Sequence, residues 1–224
     1  DFRFFEEPEG AGWRYGANRA YLERLRDHWL TGYDWPAAVA NLNRLPHIRV
    51  PVDDDLTLHA VHLRSSRTDA RPLLISHGWP GSIAEFLDVV EPLAHPERFG
   101  GDADDSFDVI APSLPGFGFS GIPPITIGPQ AVGGMMAHLM RGALGYDQYV
   151  AQGGDWGGII AARMALDHPE GLTAIHVNIL PLRPSTSPNN PPLTEDEKTW
   201  FGSVKKNLRQ ETAYQEIQAT KPQT

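Results

Sequence analysis

Residues 151–158 read Ala-Gln-Gly-Gly-Asp-Trp-Gly-Gly, and this stretch decides how the chain around it folds. The apolar pair Tyr149 and Val150 precedes it and the mostly apolar run 159–164 follows it, which predicts a strand, a tight turn and a helix. Glycines stand two residues before and two residues after Asp155. This spacing is typical of a nucleophile elbow, where small residues let neighbouring backbones approach closely. Asp155 is therefore the candidate nucleophile.

A carboxylate at such a turn needs no prior deprotonation before it attacks carbon. It therefore favours an epoxide or an alkyl halide as the electrophile over an ester. Two structural alternatives remain open for Asp155 at this point. An aspartate that precedes a helix is a common N-cap, and a glycine-rich turn between a strand and a helix can also hold a phosphate group.

Composition and charge narrow the class of protein. The 224 residues have 41% hydrophobic content, 22 Gly, 20 Pro and a net charge of −9, which indicates a globular chain with many loops that does not bind nucleic acid. Cysteine is absent, which excludes disulfides and is compatible with the cytoplasmic location that we expect. No apolar run approaches the roughly 18 residues of a membrane span. We find no metal-ligand spacing and expect no cofactor.

The N-terminal quarter is predicted to be helical and is followed by a hairpin. Residues 1–17 are polar, aromatic and Gly-rich, and we expect them to wrap the surface. Apolar residues at helical spacing predict a helix over 18–30, and Asp34 with Pro36 in the first turn predicts a second. Alternating residues over 56–63 predict a strand, with 48–52 as its hairpin partner and the acidic residues 53–55 as the turn.

Buried strands then alternate with helices, which is typical of βαβ units and a mostly parallel sheet. The strands are predicted at 72–76, 107–111, from Tyr149, and 173–178. The helices are predicted from Ser82, where Glu85 completes a capping box, over 130–144, and from Gly157. We count about six strands and expect the sheet to be incomplete, so that the chain is part of a larger protein.

The last segment is predicted to be helical again. Residues 181–192 are rich in Pro, Asn and Ser and indicate a connector. Thr194 with Glu197 predicts a capped helix, and a final helix is expected over 213–219. This helical segment would interrupt the sheet.

A second motif, His-Gly-Trp-Pro-Gly-Ser at residues 77–82, directly follows a predicted strand. A sharp turn here would leave the Trp79 N–H free to point into a cleft. Together with the Trp156 N–H, just after the candidate nucleophile, it would provide two donors for a developing anion. The alternative is an ordinary Gly/Pro turn with structural aromatic residues.

A third motif, Pro-Ser-Leu-Pro-Gly-Phe-Gly-Phe-Ser at residues 112–120, follows the next predicted strand. We expect this loop to shape the mouth of the pocket. Ser113 and Ser120 are interpreted as turn residues and not as nucleophiles, because neither lies in an elbow.

The three motifs together resemble those of the α/β-hydrolase-fold epoxide hydrolases. The segments 21–29, 32–35 and 41–47 are similar to the N-terminal extension of the microsomal-type members, which include soluble bacterial proteins. Residues 214–224 are similar to the start of that family's lid. The resemblance implies an α/β-hydrolase fold with a mostly parallel sheet and a wrapping extension. It divides the chain into the N-terminal extension 1–47, the core 48–180 and the beginning of a helical lid at 181–224.

The resemblance also implies a reaction and the residues that perform it. Asp155 would attack an oxirane carbon to form an ester that water hydrolyses, and Tyr214 would activate the epoxide oxygen as an acid. From its position alone, Tyr214 fits an aromatic residue on an amphipathic helix better than an acid, and only the flanking resemblance to the lid reverses this. The substrate is expected to be a small apolar epoxide. Its expected contacts are His77, Trp79, Pro80, Phe117, Phe119 and Trp156.

In the family, the histidine that activates water and its orienting acid follow the lid, and a second tyrosine belongs to the lid itself, so we expect all three beyond residue 224. None of the nine histidines present lies in a matching motif, and we expect this chain alone not to complete turnover. Two other functions stay open. A haloalkane dehalogenase would use the same aspartate with Trp79 and Trp156 as halide donors, and an incomplete chain would only bind small apolar ligands or a partner chain. An oligomer is compatible with the sequence.

Overall fold

The computed structural model describes residues 3–53, 56–179 and 191–221, without the side chains of residues 53 and 205–210. Residues 54 and 55 of the predicted hairpin turn and residues 181–190 of the predicted connector lie outside these ranges. The chain divides into two compact units, Asp1–Leu180 and Pro181–Thr224. Each unit is described by itself.

The first unit is built on a sheet of six strands within the described residues. The strands are β1 (His47–Asp53), β2 (Leu56–Leu63), β3 (Arg71–Ser76), β4 (Phe107–Pro112), β5 (Tyr149–Gly153) and β6 (Leu172–Val177). They lie in the order β1-β2-β4-β3-β5-β6. The pairs β1–β2 and β2–β4 are antiparallel, and the other three pairs are parallel. The predicted strands, the hairpin and the mostly parallel sheet are confirmed.

Helices flank this sheet and form the second unit. They are α1 (Arg19–Thr31), α2 (Trp35–Asn43), α3 (Val90–Ala94), α4 (Pro129–Ala137), α5 (Trp156–Asp167), α6 (Glu195–Glu211) and α7 (Ala213–Thr220). The helices predicted from residues 18 and 34 begin at side-chain caps: the Asn18 and Asp34 side chains accept from backbone N–H groups of α1 and α2. Thr194 and Glu197 form the reciprocal capping box of α6. Satisfying these free N–H groups fixes where each helix begins.

Two predicted helices differ from the structure. The predicted capping box at Ser82 is wrong, because the Ser82 hydroxyl accepts from the Ala84 N–H and residues Ile83–Phe86 form only a 3₁₀ turn. The α-helix begins at Val90 instead. Pro92 explains the restart, since proline lacks an N–H and fits only in the first turn of a helix. The helix predicted over 130–144 has the expected extent, but residues His138–Ala143 are π-helical.

Apolar side chains cover both faces of the central strands, as a parallel sheet requires. On one face Leu74 packs with Met136 of α4 and Met164 of α5. On the other face Ile75 packs with Val90 of α3. A groove of about 580 Å³ with mainly apolar walls lies beside β5 and β6, next to this second cluster. No helix in the described ranges is long and apolar enough to cross a membrane.

Candidate active site

Three loops leave the carboxyl ends of neighbouring parallel strands. Residues 77–82 follow β3, residues 113–120 follow β4, and residues 154–155 join β5 to α5. Because β3 lies between β4 and β5 in the sheet, the three predicted motifs meet at one edge. In open α/β sheets this edge is where ligands bind.

Asp155 lies at the corner where β5 becomes α5. Its backbone has φ 50° and ψ −126°, and it is the only non-glycine residue with positive φ in the described ranges. Such a conformation costs about 1–3 kcal/mol and persists only where its surroundings hold it. The surroundings here are tight: a Cβ on Gly157 would lie 2.1 Å from the Ser76 carbonyl oxygen. Glycine is therefore required where α5 contacts β3.

The carboxylate of Asp155 is held by a neighbouring loop. Its Oδ1 accepts a hydrogen bond from the Trp79 N–H at 2.8 Å. The side chain makes no capping hydrogen bond to α5, so the N-cap alternative is not what the structure shows. The carboxylate still lies at the positive end of the α5 dipole. The Trp79–Pro80 peptide bond that follows is cis.

A cleft of about 520 Å³ opens beside this carboxylate. Its walls include Asp155, Trp79 and Pro80 from the predicted site. The sequence analysis missed other wall residues, namely Glu85, Phe86, Gln152, Asn178 and Ile179. Asn178 had a usable signal, because a polar residue directly after strand β6 reaches the same sheet edge as Asp155.

His77 connects two of the loops. Its ring is 1% exposed, its Nδ1 bonds the Gly78 carbonyl oxygen at 2.9 Å, and its Nε2 accepts from the Leu114 N–H at 3.1 Å. Phe117, a predicted substrate contact, packs edge-on against this ring with centroids 5.3 Å apart. A substrate contact of His77 itself stays a prediction.

A second buried histidine supports the loop after β4. His59 on β2 is 4% exposed, and its Nδ1 and Nε2 lie 2.9 Å from Ser113 Oγ and 2.8 Å from His47 Nδ1. Burial, with smaller effects of His47 and Arg49, lowers the pKa of His59 to about 4. Phe119 packs edge-on against His59. The sequence analysis placed His59 on a strand but gave it no role.

Three other residues of the predicted site have exposed side chains. Trp79 and Trp156 are 46% and 45% exposed, so both indoles are accessible to solvent or ligand. Tyr214 lies on α7 in the second unit, and its hydroxyl accepts from Gln215 Nε2 at 2.9 Å. The roles of Tyr214 and of the Trp156 N–H stay predictions. Within the described ranges, no group of three or more His, Asp or Glu side chains is arranged to hold a metal ion.

Two protein families match the chain. The epoxide hydrolase N-terminus family matches residues 2–86, and the alpha/beta hydrolase fold family matches residues 71–218. The chain belongs to the α/β-hydrolase-fold epoxide hydrolases. This confirms the family and the fold that the three motifs and the opening segment predict.

Relatives and a solved structure agree with this membership in the epoxide hydrolases. A Stigmatella aurantiaca protein, provisionally named an epoxide hydrolase, is 40% identical over 95% of this chain and 48% of its own length. Juvenile hormone epoxide hydrolase 2 of Ctenocephalides felis is 33% identical over 100% of this chain and 50% of its own length. The Aspergillus niger epoxide hydrolase structure superposes with a TM-score of 0.82, at 29% identity, over 99% of this chain and 58% of that one. The chain thus spans about half the length of the curated relatives it matches.

Proposed function

We propose that the protein containing this chain hydrolyses small apolar epoxides to vicinal diols through an ester of Asp155. One observation carries the proposal: the Asp155 carboxylate borders a cleft while a backbone N–H from another loop holds one of its oxygens. The names of the relatives support the epoxide as substrate. A cleft of about 520 Å³ is also within the usual size of small-molecule sites.

The first step follows from which carboxylate oxygen is free. Oδ1 is bound by the Trp79 N–H, so Oδ2 is the oxygen that attacks the oxirane carbon. The carbon–oxygen bond of the ring breaks, and its electron pair moves to the epoxide oxygen, which takes a proton. We assign that proton to the Tyr214 hydroxyl, because a phenol can bind the epoxide oxygen and donate as the charge develops.

The second step uses the donor that is already in position. Water adds to the ester carbonyl carbon, and negative charge develops on Oδ1, which the Trp79 N–H binds. The Trp156 N–H is the proposed second donor. When the intermediate collapses, the diol leaves with the original Oδ2, and the oxygen of water stays in the carboxylate. Losing one such donor typically lowers the rate by about 10²–10³-fold.

The step that activates water is assigned outside this chain. The described walls of the cleft carry the ionisable residues Asp155 and Glu85 but no histidine. We therefore propose that this chain alone stops at the ester. The cytoplasmic location and an oligomeric state stay predictions.

The test is the mass of the chain after exposure to styrene oxide. We expect one added epoxide mass that peptide mapping places on Asp155, and no addition in the Asp155→Asn variant. If the folded chain gains no mass, or gains it equally in Asp155→Asn, the nucleophile assignment is wrong. In full-length protein turning over in ¹⁸O-water, label is expected in the Asp155 carboxylate.

The exposed indoles of Trp79 and Trp156 also fit a halide site, and they keep dehalogenation as the second candidate. Chloride release from a chloroalkane, without an adduct from styrene oxide, would select it. Binding of apolar ligands without reaction of either compound would select the non-catalytic alternative.

A further inference from the structure

A chain of hydrogen bonds begins at β2 and enters the loop after β4. The His59 N–H donates to Ser120 Oγ at 2.9 Å, and the Ser120 hydroxyl donates to the Ser113 carbonyl oxygen at 2.7 Å. That carbonyl and the Leu114 N–H belong to one peptide unit. The Leu114 N–H then donates to His77 Nε2 at 3.1 Å. In each of these hydrogen bonds, the donor lies on the side of His59 and the acceptor on the side of His77.

The same direction continues to the carboxylate. Because a backbone N–H occupies Nε2, His77 is the neutral tautomer with its proton on Nδ1, and Nδ1 donates to the Gly78 carbonyl oxygen at 2.9 Å. Gly78 and Trp79 share the next peptide unit, and its N–H donates to Asp155 Oδ1 at 2.8 Å. Donors and acceptors therefore alternate without interruption from Ser120 to Asp155.

We propose that Ser120 and His77 are positioning residues for the Trp79 N–H. They act through the Ser113–Leu114 and Gly78–Trp79 peptide units. For catalysis, this inference rests on the proposed function, in which Asp155 is the nucleophile. Ser120 is distant in sequence and bonds neither the carboxylate nor Trp79, so its effect would be indirect.

Gly78 explains why the Trp79 N–H needs this support. A Cβ on residue 78 would lie 2.4 Å from Asp155 Oδ1 and 2.5 Å from Asp155 Cβ, so only glycine fits there. Glycine, however, leaves its backbone free to adopt other torsions. A rotated peptide would turn the Gly78 carbonyl oxygen toward the carboxylate, where the charges repel. The His77 N–H opposes this rotation because it binds the carbonyl in the productive orientation.

Alignment of the bonds adds to their strength. In a row of hydrogen bonds that all point the same way, each bond polarises the next and strengthens it by about 10–30%. The bond that benefits at the end of the row is the one from Trp79 to Asp155. A hydroxyl at residue 120 thus strengthens the donor that the reaction uses.

Removing the Ser120 hydroxyl should leave its loop folded. The loop keeps the Ser113 Oγ–His59 Nδ1 contact at 2.9 Å, and the Gly121 N–H still donates to the Thr57 carbonyl oxygen at 2.8 Å. Ser65 provides a matched control. Its hydroxyl also donates one bond, to Ser106 Oγ at 2.8 Å, and accepts one, from the Arg67 N–H at 3.1 Å. Ser106 precedes β4, so this control lies at the opposite edge of the sheet.

The experiment compares Ser120→Ala, Ser120→Thr and Ser65→Ala. The chain is labelled with ¹⁵N in its six tryptophans, and the Trp79 amide signal is assigned by its loss in Trp79→Phe. We expect its proton to shift upfield in Ser120→Ala, and to stay in place in Ser65→Ala. In full-length protein, the rate of ester hydrolysis after attack on styrene oxide should fall roughly tenfold in Ser120→Ala only, because negative charge develops on Oδ1 in that step. This loss is a fraction of the one expected when a donor is removed outright. Ser120→Thr, which keeps the hydroxyl, should restore both values.

A second pair of variants tests separately the two hydrogen bonds of the His77 ring. Asn at position 77 keeps an N–H that can donate to the Gly78 carbonyl oxygen. Gln instead places its amide toward Leu114 and leaves the Gly78 carbonyl oxygen without a donor. We expect the Trp79 amide to shift further in His77→Gln than in His77→Asn.

The inference is overturned if Ser120→Ala leaves the Trp79 amide and the rate of ester hydrolysis unchanged, or if Ser65→Ala changes them equally. Failure of the proposed function has a different signature. In that case Asp155 of the unmodified chain is not alkylated at all, while the Trp79 amide still responds to Ser120→Ala and supports the positioning role.

Discussion

At the scale of single residues, Asp155 combines a reactive carboxylate with a backbone torsion that side chains disfavour. Its φ of 50° is in the region where only glycine avoids a steric cost. The carboxylate itself is bound by Trp79 and not by the helix that follows. In the proposed function, the residue therefore supplies a nucleophile at the expense of local stability.

Replacing Asp155 by Gly and by Ala separates these two properties. We expect the free energy of unfolding of Asp155→Gly to exceed that of Asp155→Ala by about 1 kcal/mol, because only Ala keeps the strained Cβ. Neither variant should be alkylated by styrene oxide. Urea unfolding followed by circular dichroism measures the difference. If Ala is as stable as Gly here, the torsion at residue 155 is not strained.

The buried His59 makes stability depend on pH. His47 Nε2 lies 3.0 Å from the Leu42 carbonyl oxygen and must donate to it. His47 Nδ1 then accepts from His59 Nε2–H, which leaves His59 Nδ1 to accept from the Ser113 hydroxyl. A proton added to His59 Nδ1 would face that donating hydroxyl. This arrangement agrees with the low pKa of His59.

The pH dependence has a definite sign. The pKa of His59 falls from 6.5 to about 4 on folding, so between these values the unfolded chain binds more protons than the folded chain. The unfolding free energy should therefore drop as pH falls from 6.5 toward 4, by about 3 kcal/mol in total. Urea titrations at several pH values measure this slope. His59→Gln should flatten it, while the exposed control His28→Gln should keep it, and an unchanged slope in His59→Gln would contradict the assignment.

At the scale of elements, the contact between α5 and β3 sets the elbow. Gly157 lets the first turn of α5 approach the end of β3, where any Cβ would overlap the Ser76 carbonyl oxygen. The carboxylate position thus depends on a helix–strand distance that a single methyl group would increase.

Two glycine substitutions in helices should act in opposite directions. Gly157→Ala should destabilise the chain by more than about 2 kcal/mol, because backbone atoms cannot yield as side chains do. Gly202→Ala on α6, where nothing lies within 4 Å of the added Cβ, should stabilise its helix by up to about 1 kcal/mol. Thermal unfolding compares the two variants. Equal effects would mean that the approach of α5 to β3 is not as close as described.

Local sequence patterns were sufficient to predict most of the helices and strands. Capping residues such as Asp34 and Thr194 predict helix starts because the interaction is contained within four residues. The helix predicted from Ser82 was wrong because Pro92, ten positions later, decides where the α-helix starts. The elbow and the loop 77–82 were similarly predictable, since glycine spacing reflects local crowding. The oxyanion role of that loop stays a prediction.

The hydrogen bonds that support the site could not be predicted from local sequence patterns. His59 meets Ser120 and Ser113 across 61 and 54 residues, and such pairs depend on the strand order. The interpretation of Ser113 and Ser120 as turn residues included no partner on another strand. Likewise Asn178 reaches the cleft only because β6 lies beside β5.

At the scale of the whole molecule, the reactive groups gather at one edge of the sheet. The strand order β4-β3-β5 brings the loop with Trp79 between the elbow and the loop 113–120. The described walls of the cleft contain no histidine. Attack on the epoxide and release of the product therefore depend on different parts of the protein in our proposal.

This division predicts stoichiometric and not catalytic consumption of epoxide. With excess styrene oxide, we expect this chain to consume one equivalent and then stop, because the described walls of the cleft carry no histidine that could activate water for ester hydrolysis. Chromatography of the remaining epoxide and of the diol measures the stoichiometry, with Asp155→Asn as the control for background reaction. Sustained diol formation by the chain would show that it supplies its own base.

The aromatic residues expected at the mouth of the cleft also touch the supporting histidines. Phe117 packs on His77, and Phe119 packs on His59. A mutation of either phenylalanine that makes room for a bulkier epoxide would also loosen the histidine ring against which it packs. In our proposal these rings support the loops that hold the Asp155 carboxylate. Selection for a new substrate range at these positions would therefore carry a penalty in reaction speed, and adaptation would proceed more easily through wall residues such as Phe86, which packs in a separate cluster on the other face of the sheet.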